Sequence, residues 1–302
     1  MKIIIVDFNQ TAISTLMAEL AGRTDVEIRK DLIRHMIINA IRSYKVKYGA
    51  EYGELVIACD NRKYWRKDKF EYYKASRKKA RQDSGFDWKL IFDTLSEIRA
   101  ELSTFFPYPV IDVEGAEADD VIAVLSQWSQ TNELAAPAGL FGEPEPQPVL
   151  ILSGDHDFIQ LQKYKNVSQY SPIHKKWIKP DSTIQNYLME HIIKGDKGDG
   201  IPNILSADDT FVNDGRQRPI TAKKMEAWLV YGPDDFVNQV EIDVACNFQR
   251  NRYLIDFDYI PDTVRNNIIG AWQNRPVKDK SQLLNYFMEH RMKNMIELLG
   301  EF

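Results

Sequence analysis

Three short apolar runs, each closed by aspartate, constrain this chain more than any other feature: IIIVD at Ile3–Asp7, LVIACD at Leu55–Asp60 and VLILSGDHD at Val149–Asp157. Each is of strand length and apolar without alternation, the pattern of a buried strand. Between the first two, Ile28–Tyr48 has helical spacing through Ile33, Ile37, Ile41 and Tyr44. Strand, helix, strand in that order makes a βαβ unit and a parallel sheet. A helix over Trp88–Phe105, a strand within Tyr108–Val113 and a helix over Ala118–Trp128 extend it. After about Pro180 strand-like runs become rare, and helices around Ile184–Ile193, Ala222–Leu229 and Gln282–Leu299 take over. The expected fold is α/β: a parallel-sheet domain flanked by helices over residues 1–185, then a helical C-terminal domain over 186–302. Ala135–Pro148 (AAPAGLFGEPEPQP) reads as a Pro/Gly-rich loop.

Open parallel sheets bind ligands beyond the carboxyl ends of their strands. Asp7, Asp60, Asp155 and Asp157 stand at that edge, and the start of the helix after Val113 adds Glu117, Asp119 and Asp120. Any one of them taken alone reads better as a turn former or helix cap. Glu117 and Asp120 also suit a helix N-terminus through its dipole. Together they form a costly cluster, since a like-charge pair about 4 Å apart costs roughly 4 kcal/mol at an effective dielectric near 20. A divalent cation removes that repulsion, and an oxygen-only donor set favours Mg²⁺ or Mn²⁺ over zinc. The five histidines (His35, His156, His174, His191 and His290) lack metal-site spacing and are read as surface or packing residues. Cys59 and Cys246 are isolated, which argues against a disulfide framework and suits a reducing cytoplasm. No run has the length of a membrane span.

The charge is unevenly distributed. Arg62–Arg81 carries ten basic residues against Asp68 and Glu71, a net +8 in a chain whose total is −5, so the remainder stands at −13. Tyr64, Trp65, Phe70, Tyr72 and Tyr73 are interleaved with these cations. A cationic groove with aromatic platforms is the pattern of single-strand nucleic-acid binding. For Phe70 and Tyr73, whose spacing is helical, core packing accounts for the residues equally well. Lys74 and Arg77 are spaced to share a helix face and reach one phosphate together.

The motifs VDFNQT, ACDNR, EGAEADDVIA, SGDHDF and KGDKGDGIPN follow one another in an order that resembles the flap endonuclease, or 5′-nuclease, family. YSPIHKKWIK and LIDFDYIPD look especially like its bacteriophage branch. The resemblance implies a PIN/5′-nuclease-like fold with a helix-three-turn-helix over Ile193–Trp228. It implies a two-metal, Mg²⁺-dependent enzyme acting as 5′ to 3′ exonuclease and flap endonuclease, with Mn²⁺ as substitute. Such an enzyme removes RNA primers and adjacent DNA from RNA–DNA and DNA–DNA duplexes during replication. By position, Asp7, Asp60, Glu117, Asp119 and Asp155 surround a first ion, Asp157, Asp196 and Asp199 serve a second, and Asp120 supports the cluster. Lys74 and Arg77 match catalytic phosphate-contacting residues of a basic arch at 62–81. Arg62, Arg66, Lys67, Tyr73, Lys78, Lys79 and Arg81 of that arch, with Arg216, Arg218, Lys223 and Lys224, are the expected nucleic-acid contacts. The family's G-x-G-x-K loop is absent from DGRQRPITAKK, so a potassium ion is not expected.

The implied partners are DNA and RNA–DNA duplexes with 5′ ends or flaps, together with a single-stranded-DNA-binding protein docking on the amphipathic C-terminal stretch. That stretch aligns Leu284, Phe287, Met288, Met295 and Leu299 on one side. A replication clamp is also implied, although a chain opening directly on its first strand offers no N-terminal tail to tether one. The chain is expected to be a cytoplasmic monomer with no membrane contact. Two other readings compete. A haloacid-dehalogenase-type phosphatase also ends its first strand in Asp and a later one in Ser (here Ser153), but it needs an acid where Asn9 stands. A non-enzymatic, structure-specific DNA-binding factor would be expected to have lost some of these acids.

Overall fold

The three aspartate-ended runs lie side by side in one six-stranded sheet. The computed structural model describes residues 1–20, 29–136, 142, 145–213 and 215–302. The strands are β1 (Ile3–Asp7), β2 (Glu54–Ala58), β3 (Val110–Ile111), β4 (Val149–Leu152), β5 (Val167–Ser171) and β6 (Lys176–Ile178). Their order is β3-β2-β1-β4-β5-β6, and only β6 runs antiparallel to its neighbour. Central β1 is buried on both faces, as its unbroken apolar run requires. Asp7 pairs with Ala58 and Val6 with Leu152, so three strands end level and deliver their aspartates to one edge.

Where the sequence suggests one cut near residue 185, the contacts divide the chain into two interleaved units. The first comprises Met1–Arg62, Asp87–Ile178 and Thr263–Phe302. Its core joins the sheet residues Ile4, Val6, Leu55, Ile57 and Leu150 to Ile37 and Ile41 of the helix Lys30–Tyr52, and to Ile91, Ile98 and Leu102 of the helix Trp88–Phe105. The chain's last segment closes that core. Leu283, Tyr286 and Phe287 are buried in it, and the Phe106 ring meets those of Tyr286, Phe287 and Phe302 at 5.2, 6.0 and 5.7 Å. A bidentate pair of Arg34 with Glu101, both bonds 2.8 Å, is completed by the Tyr286 hydroxyl donating to Glu101 at 2.7 Å.

The second unit, Lys63–Phe86 with Lys179–Asp262, is helical. Phe70 and Tyr73 of the basic segment share its core with Met189, Ile192, Ile193, Met225, Trp228 and Phe248.

Most expected helices form close to their expected bounds, including Trp88–Phe105, Ala118–Trp128, Ile184–Lys194 and Ala222–Trp228. The C-terminal one does not run unbroken from Gln282 to Leu299. It ends at Glu289, where Arg291 turns left-handed (φ 54°) and the Met292 amide donates back to the Phe287 carbonyl at 2.8 Å. The helix Phe8–Leu20 and strands β5 and β6 form without a sequence pattern that announces them. Of the loop at Ala135–Pro148, Ala135–Ala136 pairs with Glu145–Pro146, and residues 137–141, 143 and 144 lie outside the described residues. Among the described residues no helix is long and apolar enough to cross a membrane.

Because the tail is core rather than appendage, Phe287→Ala is expected to lower unfolding free energy by about 3–5 kcal/mol. Urea unfolding of the full chain checks this, and a loss under about 1 kcal/mol would show the tail to be dispensable.

Candidate active site

Asp7 is the last residue of β1 and only 6% exposed. Its carboxylate accepts the Gln10 amide at 3.1 Å and faces the Ser153 hydroxyl, 3.1 Å away. Burial pushes its carboxyl up from 3.8 to about 7, reinforced by the negative charges of Asp60 and Asp155. Those two acids arrive from the neighbouring strands. Asp60 follows β2 and is fixed by the Asn9 side-chain amide at 2.5 Å and the Ala118 backbone amide at 2.8 Å. The Ala118 amide opens the helix Ala118–Trp128, so Asp60 sits at the positive end of the helix dipole.

Asp155 follows β4 and caps the short 3₁₀ helix His156–Lys163 by accepting the Asp157 amide at 3.0 Å. Its own amide donates to the Ser153 hydroxyl at 3.1 Å, which links it to Asp7 through one side chain. Glu117 (1% exposed) and Asp120 form a capping box, with the Glu117 amide donating to Asp120 at 2.9 Å. Asp119, on the first turn, is half-buried, as is Asp157. The first unit therefore brings Asp7, Asp60, Asp155 and the Glu117 helix start together. Asp120 is committed to its helix terminus, a supporting position.

Several side chains without a motif of their own hold this arrangement. Asn9 and Gln10 follow β1 directly, and Gln10 accepts from the Gly154 amide and lies 3.0 Å from the Ser153 hydroxyl. Buried Gln169, on β5, donates to the carbonyls of Ser153 and Asp155 at 3.1 and 2.5 Å. Arg99 donates to the Asp60 carbonyl at 3.1 Å and pairs with Asp112 at 2.9 Å. The run of amides and hydroxyls in FNQT after the first aspartate was the available signal.

In the second unit, Gly195 ends the helix Ile184–Lys194 with φ 67°, where a Cβ would lie 2.4 Å from the Ile201 carbonyl oxygen. The turn that follows binds the Asp199 amide to the Asp196 carboxylate at 2.9 Å. Burial alone would raise the Asp196 carboxyl. The His191 imidazole, 3.6 Å away, and the amides of Asp199 and Gly198 outweigh it and hold the carboxyl below its usual value. His191, expected from sequence to be a surface or packing residue, is thus a partner of a candidate acid. The Asp199 carboxylate meets the Tyr73 hydroxyl at 2.7 Å, Lys74 Nζ at 3.6 Å and the Arg77 guanidinium.

Two expected nucleic-acid contacts are corrected. Tyr73 is 2% exposed, with its ring packed on Tyr64 and its hydroxyl on Asp199, so it offers no face to a base. Arg66 is 3% exposed and donates to the Leu254 carbonyl at 2.8 Å, so it is a structural cation. Arg62, Lys67, Lys78 and Arg81 are exposed, whereas the side chain of Lys79 lies outside the described residues. Arg216, Arg218, Lys223 and Lys224 are also exposed. Arg218 and Lys224 border a cleft of about 460 Å³ floored by Ile204 and Trp228.

A parallel sheet carrying buried carboxylates at its carboxyl edge, in a chain with a helical second unit, defines the PIN/5′-nuclease-like class. Comparison with known proteins agrees. Residues 30–188 match the family model of the 5′-3′ exonuclease N-terminal resolvase-like domain, and residues 183–302 match that of the T4 RNase H C-terminal region. The chain belongs to the 5′-3′ exonuclease family and is a nuclease. It is 32% identical to the ribonuclease H of Enterobacteria phage T4 over 99% of this chain and 95% of that protein.

Solved structures share the fold. The bacteriophage T5 D15 protein co-crystallised with metal ions has a TM-score of 0.61 at 16% identity, covering 89% of this chain and 98% of that one. The T5 5′-exonuclease with bound zinc ions gives 0.62 at 15%, covering 91% and 99%. The T5 D15 flap endonuclease in a pseudo-enzyme–product complex with DNA and metal ions gives 0.61 at 16%, covering 90% and 99%.

The raised Asp7 carboxyl has a stability consequence in metal-free protein. Between about pH 4 and pH 7 the folded state retains a proton that the unfolded chain has released, so stability falls as pH rises through that window. Above it the loss is on the order of 4 kcal/mol, at about 1.4 kcal/mol per pH unit. Asp7→Asn is expected to be more stable than the parent at pH 8 in chelator and to show a flatter profile. Urea unfolding between pH 4 and pH 8 measures this, and an equally steep variant would exclude Asp7 as the source.

Proposed function

We propose that this protein is a Mg²⁺-dependent 5′ nuclease, acting as 5′ to 3′ exonuclease and flap endonuclease on DNA and on RNA–DNA duplexes. The observation that carries the proposal is the burial of Asp7 against Asp60 and Asp155. Three acids forced together in a low-dielectric pocket are tolerable when a hard divalent cation neutralises them. The donor atoms are carboxylate oxygens, which fit Mg²⁺ or Mn²⁺. The relatives support the reading: one is a phage ribonuclease H, and another a flap endonuclease complexed with DNA and metal ions. Removal of RNA primers with the adjacent DNA is the biological task that matches both.

In this reading Asp7, Asp60, Glu117, Asp119 and Asp155 hold a first ion. By the family pattern Asp157, Asp196 and Asp199 belong to the donor set of a second. Bound there, such ions supply Lewis acidity for hydrolysis of a phosphodiester. The chain's own contribution is orientation. Asn9 and the Ala118 amide fix Asp60, Ser153 links Asp7 to Asp155, and Asp120 anchors the helix that carries Glu117.

Lys74 and Arg77 are the cations assigned to the scissile phosphate, where they offset negative charge that grows toward the transition state. Arg62, Lys67, Lys78 and Arg81, with Arg216, Arg218, Lys223 and Lys224, grip backbone phosphates without reading sequence. The segment Ile193–Trp228 serves as the helix-three-turn-helix for duplex. Docking of a single-stranded-DNA-binding protein falls to Leu284 and Met288, since Phe287 and Met295 of the same stretch are buried. The phosphatase alternative loses its footing at Asn9, which donates to Asp60 instead of serving as an acid.

The test is digestion of a labelled 5′ flap and of matched RNA–DNA and DNA–DNA duplexes with free 5′ ends. Cutting is expected with Mg²⁺ and none with chelator. Asp155→Asn is expected to lower kcat by two orders of magnitude or more, about 3 kcal/mol of transition-state stabilisation. Equal product with Mg²⁺ and with chelator would end the proposal.

A further inference from the structure

Asp199 sits where the family pattern supplies a metal ligand, yet its surroundings are cationic. Its side chain is 14% exposed and faces Lys74 and Arg77, so one carboxylate meets two positive charges. A divalent ion on this carboxylate would face both. Repulsion between like charges at contact distance is already costly for two unit charges, and a doubly charged ion doubles it. Asp7 stands in the opposite situation, among acids, with its carboxyl raised.

The backbone is built around the same contact. The Lys74 amide donates to the Asp199 carbonyl at 2.7 Å, and Arg77 Nε donates to the Gly198 carbonyl at 3.0 Å. Lys74 adopts φ 57°, a left-handed conformation that costs a non-glycine residue free energy. On the other side, Gly200 has φ 75°, and a Cβ there would lie 2.9 Å from the Tyr72 carbonyl oxygen. Tyr73, buried in the unit's core, points its hydroxyl at the Asp199 carboxylate from the residue next to Lys74. The turn Gly198–Gly200 and the segment Tyr72–Arg77 are thus joined through backbone and side chain at one acid.

We infer that Asp199 is a positioning residue: its carboxylate, anchored by the Tyr73 hydroxyl, sets Lys74 and Arg77 in place for the substrate phosphate and holds no metal ion. The inference rests on the nuclease reading above. Arg77 spends one edge of its guanidinium on Gly198 and Asp199, which fixes the plane of the group. Tyr73 supplies a neutral donor, so it orients the carboxylate without cancelling its charge.

Asp199→Asn and Tyr73→Phe in the full chain test this. Asp199→Asn keeps the size of the side chain and removes its charge, while Tyr73→Phe keeps the ring in the core and removes only the hydroxyl. Both are expected to lower kcat, Asp199→Asn by about 10–100-fold and Tyr73→Phe by less, with KM nearly unchanged. The Mg²⁺ concentration giving half-maximal rate stays at the parent value in both. The double variant is expected to be no worse than Asp199→Asn alone, because the hydroxyl acts through the carboxylate.

Calorimetric titration with Mn²⁺ supplies a readout independent of cutting. Asp199→Asn is expected to bind as many ions as the parent, with equal affinity, whereas Asp155→Asn binds fewer. Loss of an ion by Asp199→Asn, or a tenfold rise in its Mg²⁺ requirement, would overturn the inference. So would parental kcat in Asp199→Asn. Failure of the parent to cut in Mg²⁺ would instead overturn the nuclease reading and leave the Mn²⁺ titration to decide what Asp199 binds.

Discussion

The burial of a carboxylate at the end of the central strand is the constraint on which the rest of this structure turns. Asp7 cannot move away from its neighbours, because β1 is flanked on both sides by strands that end level with it. Parallel pairing therefore converts three separate strand ends into one electrostatic problem. The chain answers with neutral donors placed around the acids: Asn9, Ser153, the Gln10 amide and the first amide of the helix Ala118–Trp128. Neutral donors orient a carboxylate without cancelling its charge, which leaves the pocket able to attract a cation.

The second unit handles its acids in the opposite way. Asp196 is held charged by His191 and by backbone amides, and Asp199 is paired with cations. Asp7 and Asp60 thus receive neutral donors while Asp196 and Asp199 meet a histidine and two cations, and the family motif does not distinguish them. Sequence position assigns them alike; local charge separates them.

The sheet was largely legible from the letters because uninterrupted apolar runs closed by polar residues have few other uses. IIIVD, LVIA and VLIL form the strands expected of them. β5 was not legible, since VSQYS buries Gln169 and Ser171, polar residues that a pattern reading assigns to solvent. Gln169 is inside because it holds the carbonyls of the Ser153–Asp155 loop, a contact visible only in three dimensions. The helix Phe8–Leu20 was missed because it starts directly after the strand on the polar FNQT. The basic segment misled in part. Aromatics alternating with cations look the same whether they stack on bases or close a core, and Tyr73 and Arg66 close a core. What decides is a set of partners more than a hundred residues away, Asp199 and Leu254.

The tail that seals the first unit has a consequence for how the protein comes into being. Residues through Ile178 contain the whole sheet and every acid of its edge, yet Leu283, Tyr286 and Phe287 fill the core beneath the helices Lys30–Tyr52 and Trp88–Phe105. As a nascent chain leaves the ribosome, that part of the core stays open until Leu283, Tyr286 and Phe287 have emerged. Contacts so distant in sequence form slowly. Maturation of the acidic edge is thereby coupled to synthesis of Leu283–Phe287, and a product cut short before that segment leaves behind a frayed, poorly assembled blade.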